Sequence, residues 1–197
     1  GVILGPDGNR MSKSRGNVTD PSELIDRYGA DGLRFGLLQS AVAGANLPLP
    51  EDDMRSGQKF SNKIWNISRF LQLRIGSDLG SKLKLASLNE NGSKSELAIK
   101  INQEIKTVVK EVTEKLDKYR FHEAINILYH SIWHEFADKI IEESKSALEN
   151  NDQEIQLALI SAWQKYLILL HPFMPFITEA IWQELFAQNK QDLLMTA

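Results

Sequence analysis

Residues 51–75 read EDDMRSGQKFSNKIWNISRFLQLRI. Phe60, Ile64, Ile67 and Leu71 recur at intervals of three and four residues, the period of one face of an α-helix. Glu51, Asp52 and Asp53 open the segment, where acids complement the positive end of a helix dipole. The spacing predicts a helix from Glu51 to about Ile75 with those four apolar side chains in a core. Arg55, Lys59 and Lys63 repeat at i, i+4 and i+8 and line another face. Asn62, Trp65, Asn66, Arg69 and Phe70 flank that basic row. Two readings of it stand side by side. In one, the row is a solvated face and Trp65 and Phe70 belong to the core. In the other, the cations meet phosphate, the rings stack on bases and the amides read base edges of a single-stranded RNA loop.

The segments that follow carry the same helical period. Glu96 to about Asp117 places Leu97, Ile101, Ile105, Val108, Val112 and Leu116 on one face. Tyr119-Arg120-Phe121 marks a turn. From about Phe121 to Leu148, Ala124, Ile125, Leu128, Ile132, Phe136 and Ile140 point inward. Asn150-Asn151-Asp152 breaks that helix, and another covers about Gln153 to Leu170. His171-Pro172-Phe173-Met174-Pro175 interrupts it, because proline cannot continue a helix interior. A last helix runs from Phe176 to about Gln188, with Phe173, Met174, Phe176 and Trp182 as core. Gly76 to Ser95 is rich in Gly, Ser and Asn and reads as an irregular loop, with Leu83, Leu85 and Leu88 available to dock it. These helices and short connections predict a mainly α fold whose second part is an antiparallel α-helical bundle.

The first 50 residues read differently. Val2-Ile3-Leu4 is a short strand, and Gly5-Pro6-Asp7-Gly8-Asn9 is a strong turn signal. Arg10-Met11-Ser12-Lys13-Ser14-Arg15-Gly16-Asn17 then forms a basic loop. Lys13 brings three donors on a flexible stem, Ser12 and Ser14 bring hydroxyls, and Gly16 permits unusual backbone angles. The loop is either a solvated turn or a lid for phosphate. It is not a P-loop, since G-x-x-x-x-G-K-[ST] is absent. Asp20-Pro21-Ser22-Glu23 starts a helix, with Asp20 as N-cap and Pro21 in the first turn, and Gly29 closes it. A second helix spans Ala30 to about Ala43 with Leu33, Phe35, Leu37 and Leu38 apolar. Asp31 and Arg34 on it have the i, i+3 spacing of a surface ion pair. Residues 43–50 form an extended connector and the first boundary.

Composition bounds the function classes. The 197 residues are 42% hydrophobic and 25% charged, an ordinary globular balance. There is no cysteine, so disulfides and thiolate metal sites are excluded. No apolar run reaches the length of a membrane-spanning helix, and the N-terminus has no signal-peptide pattern. The chain starts at Gly1 on a strand-like segment, which reads as a piece of a longer polypeptide. Residues 54–75 hold Arg55, Lys59, Lys63, Arg69 and Arg74 and no acid, a charge of +5 within a chain of net charge −3. Such asymmetry focuses an anionic ligand on one face. His130 and His134, with Glu135 or Asp138 nearby, have metal-ligand spacing, but no H-E-x-x-H order is present. With His122 they read as a hydrogen-bonded polar stripe, and no metal site is expected.

Met11-Ser12-Lys13-Ser14 followed by Arg15-Gly16-Asn17-Val18-Thr19-Asp20-Pro21 resembles the signature loop of class I aminoacyl-tRNA synthetases, and Tyr28-Gly29-Ala30-Asp31-Gly32-Leu33-Arg34-Phe35 continues the match. Arg10 stands where that family usually has lysine. Residues 62–70 resemble a segment of valyl-tRNA synthetases. Residues 119–124, 132–136 and 170–176 look like the helical anticodon-binding region shared by the valyl, leucyl and isoleucyl enzymes.

The resemblance implies an end of a catalytic domain over residues 1–50 and an anticodon-binding domain over 51–197. It implies ATP binding by Met11, Ser12, Lys13 and Ser14, with Lys13 catalytic. It implies tRNA binding, to valine tRNA in particular, through Arg55, Lys59, Asn62, Lys63, Trp65, Asn66, Arg69 and Phe70. It further implies partner catalytic and editing domains earlier in the same polypeptide, a cytoplasmic location, and no charging of tRNA by this stretch alone. The leucyl and isoleucyl enzymes, and a helical scaffold that binds another protein, are the alternatives.

Overall fold

A computed structural model describes residues 1–5, 7–41, 44–76, 79–80, 82, 95–187 and 192–196. Strand β1 (Ile3–Leu4) pairs in parallel with β2 (Leu47–Pro48), Ile3 opposite Leu47. Between them lie a 3-10 turn (Lys13–Arg15), helix α1 (Pro21–Tyr28) and helix α2 (Ala30–Ser40). Helices α3 (Glu51–Ile75) and α4 (Glu96–Asp117) follow. Then α5 (Phe121–His130) runs without a break through a π-helical segment (Ser131–Ile140) into α6 (Ile141–Glu149). Helices α7 (Gln153–Leu170) and α8 (Pro175–Leu185) and a 3-10 turn (Leu194–Thr196) complete the described chain. The fold is mainly α.

Local chemistry accounts for the boundaries. Asp20 accepts from the Ser22 N–H at the start of α1, Ser95 from the Ala98 N–H at α4, and Asp152 from the Glu154 and Ile155 N–H groups at α7. Gly29 holds φ at 77° and turns the chain from α1 into α2 within one residue. Tyr119 and Asn151 also take positive φ, at the two turns expected around them. The π segment closes i→i−5 hydrogen bonds, as from the Ile141 N–H to the Phe136 carbonyl.

The four residues expected to face inward on α3 do so, at 0–4% exposure. They join one core with Ile101, Ile105, Leu128, Phe136, Leu159, Trp163 and Leu167 from the later helices. Phe35 of α2 lies in this same core, so α2 is packed on the helices that follow it. A smaller cluster of Leu24, Tyr28 and Met54 ties α1 to α3. Helices α2 and α3 approach closely through glycine. A Cβ on Gly36 would lie 2.5 Å from the Met54 amide nitrogen, and one on Gly57 would lie 2.8 Å from Phe35 Cβ.

Three expectations are corrected. Helix α2 ends at Ser40 rather than near Ala43, and the chain is extended at Ala41. Phe176 is 64% exposed, whereas Phe173, Met174 and Trp182 are buried. It sits in the first turn of α8, on the side that faces away from the core. The proposed loop at Gly76–Ser95, with Leu83, Leu85 and Leu88, falls largely outside the described residues.

The third correction concerns Asp31 and Arg34, which do not form a surface ion pair. Asp31 is 6% exposed. Its carboxylate accepts from the N–H groups of Phe176 (3.3 Å) and Ile177 (2.6 Å). These are the donors that an N-cap side chain would satisfy at the start of α8, and Met174, the residue in that place, offers none. Arg34 Nε donates to the Phe173 carbonyl (3.0 Å) and its Nη2 to the Pro172 carbonyl (2.8 Å). One turn of α2 thus caps a helix some 145 residues away in sequence and holds the turn that precedes it. A cap of this kind contributes about 1 kcal/mol.

Burial pushes the Asp31 carboxyl above its ordinary value of 3.8, against the opposing pull of the Ile177 and Phe176 N–H groups, Arg34 and His171. A carboxyl whose pKa is raised by folding binds more protons folded than unfolded between the two values. Its contribution therefore falls as pH climbs from the ordinary value through the raised one. Asp31→Asn removes this titration. Urea unfolding of both proteins from about pH 3 to about pH 7 is expected to show wild type losing stability relative to the variant as pH rises, then levelling. A difference independent of pH contradicts the assignment.

Candidate functional site

Two surfaces carry the residues singled out in the sequence. The first is the loop after β1. Arg10 bridges back to Leu4, so the turn at Gly5–Asn9 doubles the chain on itself. Asn17 braces the loop from the far side. Its Oδ1 accepts from the Ser12 N–H (2.8 Å), and its Nδ2 donates to both Asp7 oxygens (3.0 and 3.1 Å) and to the Arg10 carbonyl (3.3 Å). The Asn17 amide, and after it the Asn9 N–H that donates to Asp7 at 3.1 Å, hold the Asp7 carboxyl below its ordinary range. Asp7 and Asn17 were not singled out as site residues. Their signal was their position, since amide and carboxylate side chains flanking a turn readily bond to backbone.

Within this brace, Lys13 opens the 3-10 turn and Gly16 ends it at φ 66°. Ser12 and Ser14 share a hydroxyl hydrogen bond of 2.8 Å. Met11 and Ser12 are half-buried, and Lys13 and Ser14 are exposed. The Lys13 ammonium has no hydrogen bond or ion pair among the described residues. A free cation beside two hydroxyls, on a loop whose ends are fixed, is chemically fitted to phosphate oxygens.

The second surface is the exposed side of α3. Lys59, Asn62 and Asn66 are exposed and make no side-chain hydrogen bond or ion pair among the described residues. Arg55 is exposed and reaches Asp52 at 3.4 Å. Lys63 is committed further. It pairs with Asp138 at 2.9 Å and lies 5.2 Å from the centre of the Trp133 ring. Arg69 lies 3.9 Å from Glu184 on α8. Trp65 and Phe70 are partly buried against the main core, and Arg74 covers the Phe70 ring at 5.8 Å. The structure therefore gathers Lys59, Asn62, Lys63 and Asn66 on one open face and draws Trp65 and Phe70 toward the core.

The sequence named His130, His134 and Asp138 but did not place them beside this face, and it did not single out Tyr129 or Trp133. Trp133 stacks with Tyr129 at 5.5 Å, and Asp138 faces both Lys63 and His134. His130 and His134 rings lie 5.2 Å apart on the exposed side of the same helix. Among the described residues no three His, Cys, Asp or Glu side chains converge as a metal would require. Among them, too, no helix is long and apolar enough to cross a membrane.

Two stretches of the chain match known families. Residues 99–197 match the family described as the anticodon-binding domain of tRNA ligase. The chain belongs to this family. Residues 1–47 match a second family, described as tRNA synthetases class I (I, L, M and V). The chain is 40% identical over 191 residues to a valine–tRNA ligase of Staphylococcus epidermidis, and 39% identical to that of Staphylococcus aureus. Each alignment takes in 94% of this chain and 21% of the relative, so the chain spans about a fifth of those ligases.

Its fold is that of a leucyl-tRNA synthetase from Agrobacterium radiobacter K84, solved as a ternary complex, at a TM-score of 0.76. That similarity covers 98% of this chain and 22% of the other at 20% identity. A Mycobacterium tuberculosis methionyl-tRNA synthetase is similar at a TM-score of 0.63, over 91% of this chain and 36% of the other at 18% identity.

Proposed function

We propose that this chain is the tRNA-binding part of a valine–tRNA ligase together with the last element of its ATP site. The observation that carries the reading is the 40% identity to a valine–tRNA ligase across 94% of the chain, loop and helices alike. Residues 1–50 are assigned to the end of the catalytic domain and 51–197 to the anticodon-binding domain. The whole ligase, on this reading, activates valine with ATP and transfers it to valine tRNA in the cytoplasm.

Met11, Ser12, Lys13 and Ser14 bind the ATP phosphates. Lys13 carries the catalytic role, because negative charge moves onto the departing pyrophosphate and a placed cation stabilises that charge most where it develops. The free Lys13 ammonium and the braced loop support this. Arg55, Lys59, Asn62, Lys63, Asn66 and Arg69 contact the anticodon arm, with Trp65 and Phe70 at the edge of the face. The exposed, unpartnered Lys59, Asn62 and Asn66 support this most directly.

The test is binding of this chain to valine, leucine and isoleucine tRNAs, and to valine tRNA with an altered anticodon, at two salt concentrations. Preference for valine tRNA that is lost on changing the anticodon is the expected result. Equal binding to all four contradicts it.

A variant test refines the face. Each phosphate contact to a single-stranded loop contributes about 0.7 to the slope of log affinity against log salt. Lys59→Ala is expected to weaken binding and reduce that slope by about 0.7. An unchanged slope in filter-binding titrations would remove Lys59 from the interface.

A further inference from the structure

We propose that Asp31 and Arg34 are positioning residues that fix the RNA-contacting helix α3 relative to the signature loop, by holding the turn between α7 and α8. The proposal rests on the functional reading above. Its starting point is the placement of the two side chains. They stand one helical turn apart near the start of α2, which follows the loop through α1 alone. They engage opposite ends of one structural unit. Asp31 takes the free N–H groups of Phe176 and Ile177, and Arg34 takes the carbonyls of Pro172 and Phe173. A carboxylate and a guanidinium, each matched to the backbone partner of opposite polarity, fix both the place and the rotation of the turn. The turn is braced from its other side, where His171 Nδ1 lies 2.9 Å from the buried Thr178 hydroxyl and that hydroxyl donates to the Met174 carbonyl.

The held unit bears on α3. Helix α8 packs against α3, with Trp65, Ser68 and Arg69 of α3 beside Ile181, Glu184 and Leu185 of α8. Helix α2 itself meets α3 earlier, at the close glycine contact of Gly32 and Gly36 with Met54 and Gly57. Arg69 stands twelve positions after Gly57, roughly 18 Å along the helix axis. The core fixes the buried side of α3 through Phe60, Ile64, Ile67 and Leu71, and these two contacts set its position relative to α2. The exposed Lys59, Asn62 and Asn66 and the half-buried Lys63 lie between the two contacts. Asp31 and Arg34 tie the later of these contacts, through α8, to the element that leads directly back to Lys13. Misplacement of about 1 Å between bound groups is enough to slow a reaction strongly. The effect is expected in the step that needs both ends of the tRNA placed at once, its aminoacylation, and not in steps that use one surface alone.

The experiment uses the whole ligase with Arg34→Lys, which keeps the charge but not the two-pronged fork, and separately with Asp31→Asn, which keeps one acceptor. Three rates or affinities are read in each: valine-dependent pyrophosphate exchange without tRNA, equilibrium affinity for valine tRNA, and single-turnover transfer from preformed valyl-adenylate. Exchange and affinity are expected to stay within about twofold of wild type while transfer falls about tenfold. Transfer equal to wild type overturns the proposal, as does a loss shared equally by exchange and transfer, the mark of a merely structural role. Wild-type ligase without valine-dependent exchange overturns the functional reading and this inference with it.

Discussion

Replacing Lys13 with alanine is expected to lower valine-dependent pyrophosphate exchange by the proposed whole ligase by about 10²–10³-fold and to leave the helical content unchanged. The magnitude follows from what the ammonium does. Its interaction is weak with neutral surroundings and strong with phosphate oxygens that gain charge as pyrophosphate departs. The loss therefore falls on the rate of adenylate formation more than on ATP affinity. The structural half of the expectation is equally specific. Lys13 is exposed, and the contacts that shape the loop run through Asn17, Asp7 and the Ser12 amide. None of them uses the lysine side chain. Steady-state exchange kinetics with circular dichroism on the same samples check both halves. Unchanged exchange would separate this loop from the chemistry proposed for it.

The second large effect is on stability. Trp163→Ala is expected to destabilise the chain by about 3–5 kcal/mol. Trp163 is 0% exposed and stacks on Phe136 at 5.6 Å and 10°. Its indole N–H donates to the Ser68 hydroxyl of α3 at 3.0 Å, so one side chain joins α7, the π segment and α3. Truncation leaves a cavity where three elements meet, and a site braced from three sides collapses poorly. The Ser68 hydroxyl keeps its bond to the Ile64 carbonyl, so the cost is one of packing more than of an orphaned polar group. Urea unfolding monitored by circular dichroism reads the change. A loss below about 1 kcal/mol would mean that the core repacks around the gap.

The two variants separate the two parts of the molecule. On the proposed reading the loop contributes chemistry at little structural cost, because its functional group is held out from a scaffold that does not need it. The core contributes position. Nothing in Trp163 touches the face proposed for RNA, yet Ser68 and Ile64, which it stabilises, sit on the reverse side of the helix that carries Lys59, Asn62 and Asn66.

Much of this was determined by the sequence alone. Apolar spacing located α3, α4 and α7 to within a residue or two, because a helix that buries one face must repeat at its own period. Capping residues and prolines marked the ends, because backbone groups left open at a helix terminus need a nearby partner. The basic loop and the basic face of α3 were legible because cations are identified by residue type, whether or not each is paired in the fold. What only the tertiary structure decided are the contacts between residues far apart in the chain. Asp31 and Arg34 have the spacing of an ordinary surface pair, and nothing local indicates that α8 lacks a cap of its own. The exposure of Phe176, the pairing of Lys63 with Asp138 and the retreat of Trp65 toward the core have the same origin. Periodicity fixes which residues share a face. Which neighbouring element that face meets depends on how all the helices pack at once.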